Sequence, residues 1–195
     1  MLDLKGKRLV LASKSSRRAH LLQLLGLNFD IMDSEIEEVA EKYTIPEVHV
    51  LELAQKKAIK VAEEMNEGFS VGADTIVVLN GEILGKPQEM NQAREMLKKL
   101  SGKTHSVYTG FAIVEKPTGR MVSDYERTQV TFRALEDAEI ENYIQTENPM
   151  DKAGAYGIQD QSAIFAKKIN GCFYNVVGLP LTKFYLTFRD FLQTK

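Results

Sequence analysis

Between Pro46 and Leu84 the chain changes its hydrophobic period twice, and few folds accept both changes. After Pro46, a residue suited to the first turn of a helix, Leu51, Ala54, Ala58, Val61, Ala62 and Met65 recur three or four apart until Gly68. Residues 71–79 then read as a strand, and Asn80-Gly81 makes a tight hairpin turn before Glu82-Ile83-Leu84. A long amphipathic helix feeding an apolar strand, which then turns back on itself, argues for an α/β sheet that is not purely parallel.

The rest of the chain repeats the theme. Residues 9–12 form a short apolar run ending in hydroxyl residues, and residues 17–25 carry Leu21, Leu22, Leu24 and Leu25 on helical spacing, with Gly26 as the stop. Residues 28–32 read as a second strand and residues 91–100 as a helix. Residues 106–114 and 121–132 form an expected long hairpin about Lys116-Pro117-Thr118-Gly119. Residues 137–146 read as a helix, 154–157 as a loop, 163–169 and 173–177 as a further hairpin, and 181–192 as the last helix. The expected architecture is a mixed twisted sheet with flanking helices.

Composition narrows the function. With 195 residues the chain buries about 70% of its unfolded surface, enough to stand without a metal or disulfide staple. Lys+Arg 25 against Asp+Glu 27 gives a net charge of −2, so no general basic surface is available for nucleic acid. Any positive field is local, which suits a small anionic ligand. The single cysteine, Cys172, excludes an intramolecular disulfide and a cysteine-built zinc site, and fits a reducing compartment. Its setting between Gly171 and Phe173 reads as a buried structural thiol. Lys5, Lys7 and Arg8 precede only four apolar residues before Lys14, short of a signal core of about 7–15. No stretch reaches the roughly 18 apolar residues of a membrane span, so a cytoplasmic protein without membrane partners is expected.

Five segments carry candidate chemistry. Ser13-Lys14-Ser15-Ser16-Arg17-Arg18 joins a strand to a helix, where free amides, hydroxyls and guanidinium groups bind phosphate; the plain alternative is an N-cap followed by solvated arginines. It is neither a G-x-x-x-x-G-K-S/T phosphate loop nor a G-x-G-x-x-G turn. Gly72-Ala73-Asp74-Thr75 sets a carboxylate among apolar strand residues, where it holds a divalent cation, activates a water, or ends a strand. Lys86, in Gly85-Lys86-Pro87, aims an ammonium at a phosphate or is solvated. On the long helix, Lys56 and Lys60 share a solvent-facing sector and Lys57 points elsewhere. Glu35-Ile36-Glu37-Glu38 either completes a Mg²⁺ or Mn²⁺ site or is an acidic loop. Asp151 to Gln159 forms a glycine-rich loop in which Tyr156 and Gln159 offer base recognition; a glutamine amide matches the O4/N3–H pair of uracil or thymine, and also pairs with adenine. His20, His49 and His105 lack metal-ligand spacing, and no G-x-S-x-G elbow is present.

Taken in order, the segments resemble the Maf family of nucleoside triphosphate pyrophosphatases. The resemblance runs from Leu9 to Leu181 through Leu11-Ala12-Ser13-x-Ser15-x-Arg17-Arg18, Leu53-Ala54-x-x-Lys57-Ala58, Gly72-Ala73-Asp74-Thr75, Gly85-Lys86-Pro87 and Leu100-Ser101-Gly102-x-Thr104-His105-x-Val107. Asp151-Lys152-Ala153-Gly154-Ala155-Tyr156-Gly157-Ile158-Gln159 and Asn175-Val176-Val177-Gly178-Leu179-Pro180 complete it. It implies one domain of two lobes around a central cleft, similar in outline to inosine triphosphate pyrophosphatases. It implies hydrolysis of a nucleoside triphosphate to monophosphate and pyrophosphate with Mg²⁺ or Mn²⁺. Asp74 becomes the proton acceptor and, with Glu38, the metal ligand. Ser13, Ser15, Arg17, Arg18, Lys57 and Lys86 meet the phosphates, and Arg17, Thr75 and Gln159 set substrate choice.

The loop ending in Gln159 is similar to that of the dTTP and UTP branch, against 7-methyl-GTP or CTP branches. A homodimer is a common default, and the family is also associated with division arrest, which leaves a nucleotide-binding regulator as the rival reading. The chain departs from the family at Ser16, where proline is common, and at Gln161-Ser162, which replaces a usually glycine-containing stretch.

Overall fold

The computed structural model describes residues 2–36, 45–146 and 149–194. Among them seven strands form one mixed sheet in the order β2-β1-β3-β5-β6-β7, with β4 paired to β3. The strands are β1 (Leu9–Leu11), β2 (Asp30–Ile31), β3 (Gly68–Leu79), β4 (Glu82–Leu84), β5 (Thr104–Lys116), β6 (Met121–Phe132) and β7 (Ala166–Asn170). The helices are α1 (Ser16–Leu24), α2 (Pro46–Glu63), α3 (Met90–Leu100), α4 (Asp137–Thr146), α5 (Phe173–Val177) and α6 (Leu181–Gln193). β1 pairs in parallel with β2 and β3, whereas β4 and β7 pair antiparallel with β3 and β6. The expected mixed sheet with flanking helices is therefore present.

The chain divides into two compact units. The first holds Met1–Asp74, Thr109–Glu126 and Gly178–Lys195; the second holds Thr75–Tyr108 and Arg127–Val177. β3, β5 and β6 each supply residues to both.

In the first unit, α2 lies on the sheet through a stripe of small residues. Ala54, Ala58 and Ala62 pack with Ala112 and Val114 of β5, one helical turn apart as a stripe requires. Two glycines let the backbones close up: a Cβ on Gly72 would stand 2.2 Å from the Ala54 carbonyl oxygen, and one on Gly110 would stand 2.5 Å from that of Val50. α6 adds an aromatic layer, with Phe188 edge-on to Phe69 at 5.2 Å and Phe184 edge-on to Phe111 at 5.4 Å. Each such ring, fully withdrawn from water, contributes about 1.5–3 kcal/mol.

In the second unit, α3 and α4 close over Val77, Leu79, Val107 and Phe132. The Asn80-Gly81 turn forms as expected, with both residues at positive φ and Leu79 opposite Glu82; a two-residue hairpin of this hand requires that conformation.

Two expectations are corrected. Residues 173–177 are the helix α5 rather than the second arm of a hairpin; β7 pairs with β6. An apolar run of this length fits helix or strand equally well by periodicity. Tertiary contacts decide it, because the fully buried Asn175 donates its amide to the Val107 carbonyl and to Thr128 Oγ1, each at 3.0 Å. Cys172 is half-buried rather than buried. No helix among the described residues is long and apolar enough to cross a membrane.

Candidate active site

The predicted site residues divide between the two units. In the first, β1 and β3 are adjacent and parallel, with Leu11 opposite Val71. The Ala12 amide continues the ladder by donating to the Val71 carbonyl at 2.8 Å. Both strands head the same way, so the loop that follows β1 at Ser13 and the carboxylate three residues beyond Val71 share one end of the strand pair. Ligands of such sheets gather at the carboxyl ends of parallel strands.

Asp74 is buried, as is Lys57. Gly72 lies two residues before Asp74 on the same strand face, and its missing side chain admits the α2 backbone between Ala54 and Ala58. Lys57 sits between those two alanines, and its Nζ donates to Asp74 Oδ1 at 2.8 Å. The side chains are 6% and 5% exposed. A carboxylate this enclosed is costly without compensation, and Lys57 supplies it. The expectation that Lys57 points away from Lys56 and Lys60 holds: those two are exposed.

The loop after β1 is organised by its own side chains. Ser15 caps α1, its Oγ accepting from the Arg18 amide at 3.4 Å. Ser13 Oγ accepts from the Ser15 amide and from Arg18 Nη1, both at 3.2 Å. Arg18 Nε donates to the Gly178 carbonyl at 3.0 Å, so Arg18 and both serines carry structural duties. Arg17 is half-buried in the first turn of α1. That turn holds no acidic residue, so the positive end of the helix dipole is left for an outside anion. Lys14 is turned to Asp33 at 2.5 Å.

In the second unit, Thr75 is half-buried on β3 and Lys86 is exposed. The structure brings the Gly85-Lys86-Pro87 turn together with the glycine-rich loop, since the Gly154 amide donates to the Gly85 carbonyl at 3.0 Å. Gly154 is left-handed, at φ +68°, and a Cβ there would press on Val77 at 3.0 Å. Gln159 is exposed on a turn closed by the Asp160 amide, which donates to the Gly157 carbonyl at 3.0 Å.

Tyr156 corrects the expectation for this loop. Its ring is buried against Phe132, with centroids 4.8 Å apart, and its hydroxyl lies 2.7 Å from His105 Nε2. It is a core residue, not a surface for a base. Burial pushes the Tyr156 phenol up and the His105 imidazole down to about 4.

Glu38 lies outside the described residues. Among the described residues no three His, Cys, Asp or Glu side chains converge on a metal position. Asp74 is nonetheless a fitting donor, a hard carboxylate whose Oδ1 is held by Lys57. Mg²⁺ takes one or two carboxylates and completes its shell with water and substrate phosphates.

The sequence reading missed Tyr143 and Asp160, and it gave Lys152 and Ser162 no part in holding the Gln159 turn, where all four meet. A signal was available, since an Asp two residues before a Ser commonly bonds the following backbone amide.

The Maf-like protein family matches residues 8–191. A dTTP/UTP pyrophosphatase of Bacillus cereus is 46% identical over 185 residues, 95% of this chain and 96% of the relative. One of Bacillus cytotoxicus is 48% identical over the same shares. The solved structure of the Staphylococcus aureus Ham1 protein is a remote likeness, with a TM-score of 0.41 and 14% identity over 65% of this chain and 72% of that one. The family match along almost the whole length, joined to relatives that keep nearly half of the residues, establishes that the chain belongs to the Maf family.

Proposed function

We propose that this protein is a nucleoside triphosphate pyrophosphatase that hydrolyses dTTP and UTP to the monophosphate and pyrophosphate. The observation that carries the reading is the buried Lys57–Asp74 pair, set at the end of the strand pair that also bears the Ser13–Arg18 loop. A carboxylate fixed by an ammonium is oriented, and it accepts a proton from water as that water attacks the α-phosphorus. The names of the two Bacillus relatives support the substrates. Asp74 and Glu38 would hold a divalent cation, Mg²⁺ or Mn²⁺, which would supply positive charge against the phosphate oxygens.

The chain's own groups do the rest. Arg17 and the first amides of α1 hold phosphate, with Ser13, Ser15 and Arg18 keeping that loop in shape and adding donors. Lys57 holds Asp74 in place in its buried setting, and Lys86 meets the departing pyrophosphate. Thr75 and Arg17 bear on substrate choice, and the Gln159 amide pairs with the O4/N3–H edge of the base. Phosphoryl chemistry of this kind needs positioned charge rather than a covalent intermediate. We read the two units as lobes of one domain, since three strands contribute to both. A cytoplasmic setting follows from the nucleotide substrate and the single cysteine.

The test is pyrophosphate release from dTTP, UTP, CTP, GTP and 7-methyl-GTP at equal concentration, each with Mg²⁺, with Mn²⁺ and with chelator. Metal-dependent turnover strongest on dTTP and UTP is expected. Turnover confined to CTP or 7-methyl-GTP would overturn the substrate assignment, and none on any triphosphate would overturn the enzyme reading.

A further inference from the structure

The turn that displays Gln159 is held by a connected set of polar groups, Tyr143, Lys152, Asp160 and Ser162. Asp160 is its hub. Its Oδ1 accepts from the Ser162 amide and from Ser162 Oγ, both at 2.8 Å. Its Oδ2 accepts from the Tyr143 hydroxyl at 3.2 Å and lies 3.5 Å from Lys152 Nζ. Ser162, fully buried, closes the turn from the other side: its Oγ lies 2.7 Å from the Gly157 carbonyl and 3.2 Å from the Gly157 amide.

Asp160 and Lys152 pack closely over Gly157. A Cβ there would stand 2.7 Å from Asp160 Oδ2 and 2.8 Å from Lys152 Cε. Lys152 is itself buried, and it also pairs with Asp151 at 3.1 Å. Burial and the Asp160 charge push the Tyr143 phenol up, so Tyr143 stays a protonated donor to Asp160.

Such an investment is more than an exposed turn needs for its own sake. Burying an ammonium, a phenol and a hydroxyl against a partly enclosed carboxylate carries a desolvation cost that their mutual hydrogen bonds offset. What the network fixes is the backbone on both sides of one exposed side chain, Gln159. A glutamine with free rotation about its backbone reads a base edge poorly, because the two hydrogen bonds must form together.

We propose that Asp160, with Ser162 and Lys152, is a positioning device for Gln159 that sets discrimination among nucleotide bases without touching the substrate. The inference rests on the assignment of Gln159 as the base-reading group. It also gives the Gln161-Ser162 departure from the family pattern a role: Ser162 is the buried half of the clamp.

The experiment compares kcat/KM for dTTP and for CTP in Gln159→Ala, Asp160→Ala, Asp160→Asn and Ser162→Ala. The ratio of the two values is independent of the fraction of enzyme that folds, so loss of stability leaves the readout intact. Losing one well-placed base contact lowers the ratio by about fivefold or more, and we expect that loss in Gln159→Ala and in Asp160→Ala. Asp160→Asn keeps an acceptor for the Ser162 amide and is expected to retain part of the discrimination. The double variant Gln159→Ala/Asp160→Ala should discriminate no worse than Gln159→Ala alone, because both act through one contact. An unchanged ratio in Asp160→Ala and Ser162→Ala, with a lowered one in Gln159→Ala, overturns the positioning proposal alone. An unchanged ratio in Gln159→Ala overturns both it and the base-reading assignment.

Discussion

Lys57 Nζ donates to Asp74 Oδ1 at 2.8 Å, with both side chains withdrawn from water and 17 positions apart in the chain. The pair exists because Gly72 lets α2 rest its backbone on β3. Two charges so enclosed tie stability and chemistry to the same contact, and comparing single with double variants separates the two.

Asp74→Asn should fold and lose roughly 10²- to 10⁴-fold in the rate of pyrophosphate release, the amount expected for removing a proton acceptor. Near-full activity would show that another group takes the proton. Lys57→Met should destabilise by about 3–5 kcal/mol, because it strands a buried carboxylate. Lys57→Met/Asp74→Leu should regain most of that stability in denaturant titration and remain inactive.

Gly72→Ala forces a methyl group to within 2.2 Å of the Ala54 carbonyl and 2.6 Å of the Ala58 amide. Neither backbone has room to yield without moving α2. A loss of about 1–3 kcal/mol is expected, together with reduced turnover as Lys57 is drawn off Asp74. Gly85→Ala, which meets nothing within 4 Å, is the control for stability and should be nearly neutral.

Ser15 separates capping from phosphate binding. Ser15→Ala should cost about 1 kcal/mol through the lost cap of α1. Ser15→Asp retains a good cap, since a carboxylate also accepts from the helix amides, yet sets a negative charge where phosphate is proposed to sit. Steady-state kinetics should therefore show a raised KM for every triphosphate in Ser15→Asp without a matching fall in the melting temperature. An unchanged KM would leave Ser15 as a cap only.

His105 sets a pH window. Its folded value of about 4 lies below the ordinary 6.5, because burial disfavours the charged ring. The unfolded chain then binds more protons between these values, so stability is whole above pH 6.5 and falls as pH drops towards 4. The loss over that window is about 3 kcal/mol. Glu115 belongs to a lower window: hydrogen bonds led by Lys7 and Arg120 hold it down to about 2, so its share is lost only below pH 4.5. The stability difference between the wild type and His105→Gln should narrow from pH 7 to pH 4. A constant difference would remove His105 as the source.

Most of the architecture was legible because periodicity is local. The stripe of Ala54, Ala58 and Ala62, the Asn80-Gly81 turn and the apolar β3 each declare themselves within a dozen residues. The α5 segment was not legible, since Phe173-Tyr174-Asn175-Val176-Val177 suits either state until Asn175 finds Val107 and Thr128, 68 and 47 residues away in the chain.

The sequence by itself determined the α/β class, the family and the residue types available for phosphate and base. The tertiary structure alone decided their duties. It put Lys57 on Asp74, gave Ser15 to a helix cap and Tyr156 to the core, and built a clamp of Asp160, Ser162 and Lys152 under Gln159. The reason is physical: a residue's identity sets which bonds and charges it offers, but burial and long-range contacts select which are used. Both depend on segments that meet only when the chain folds.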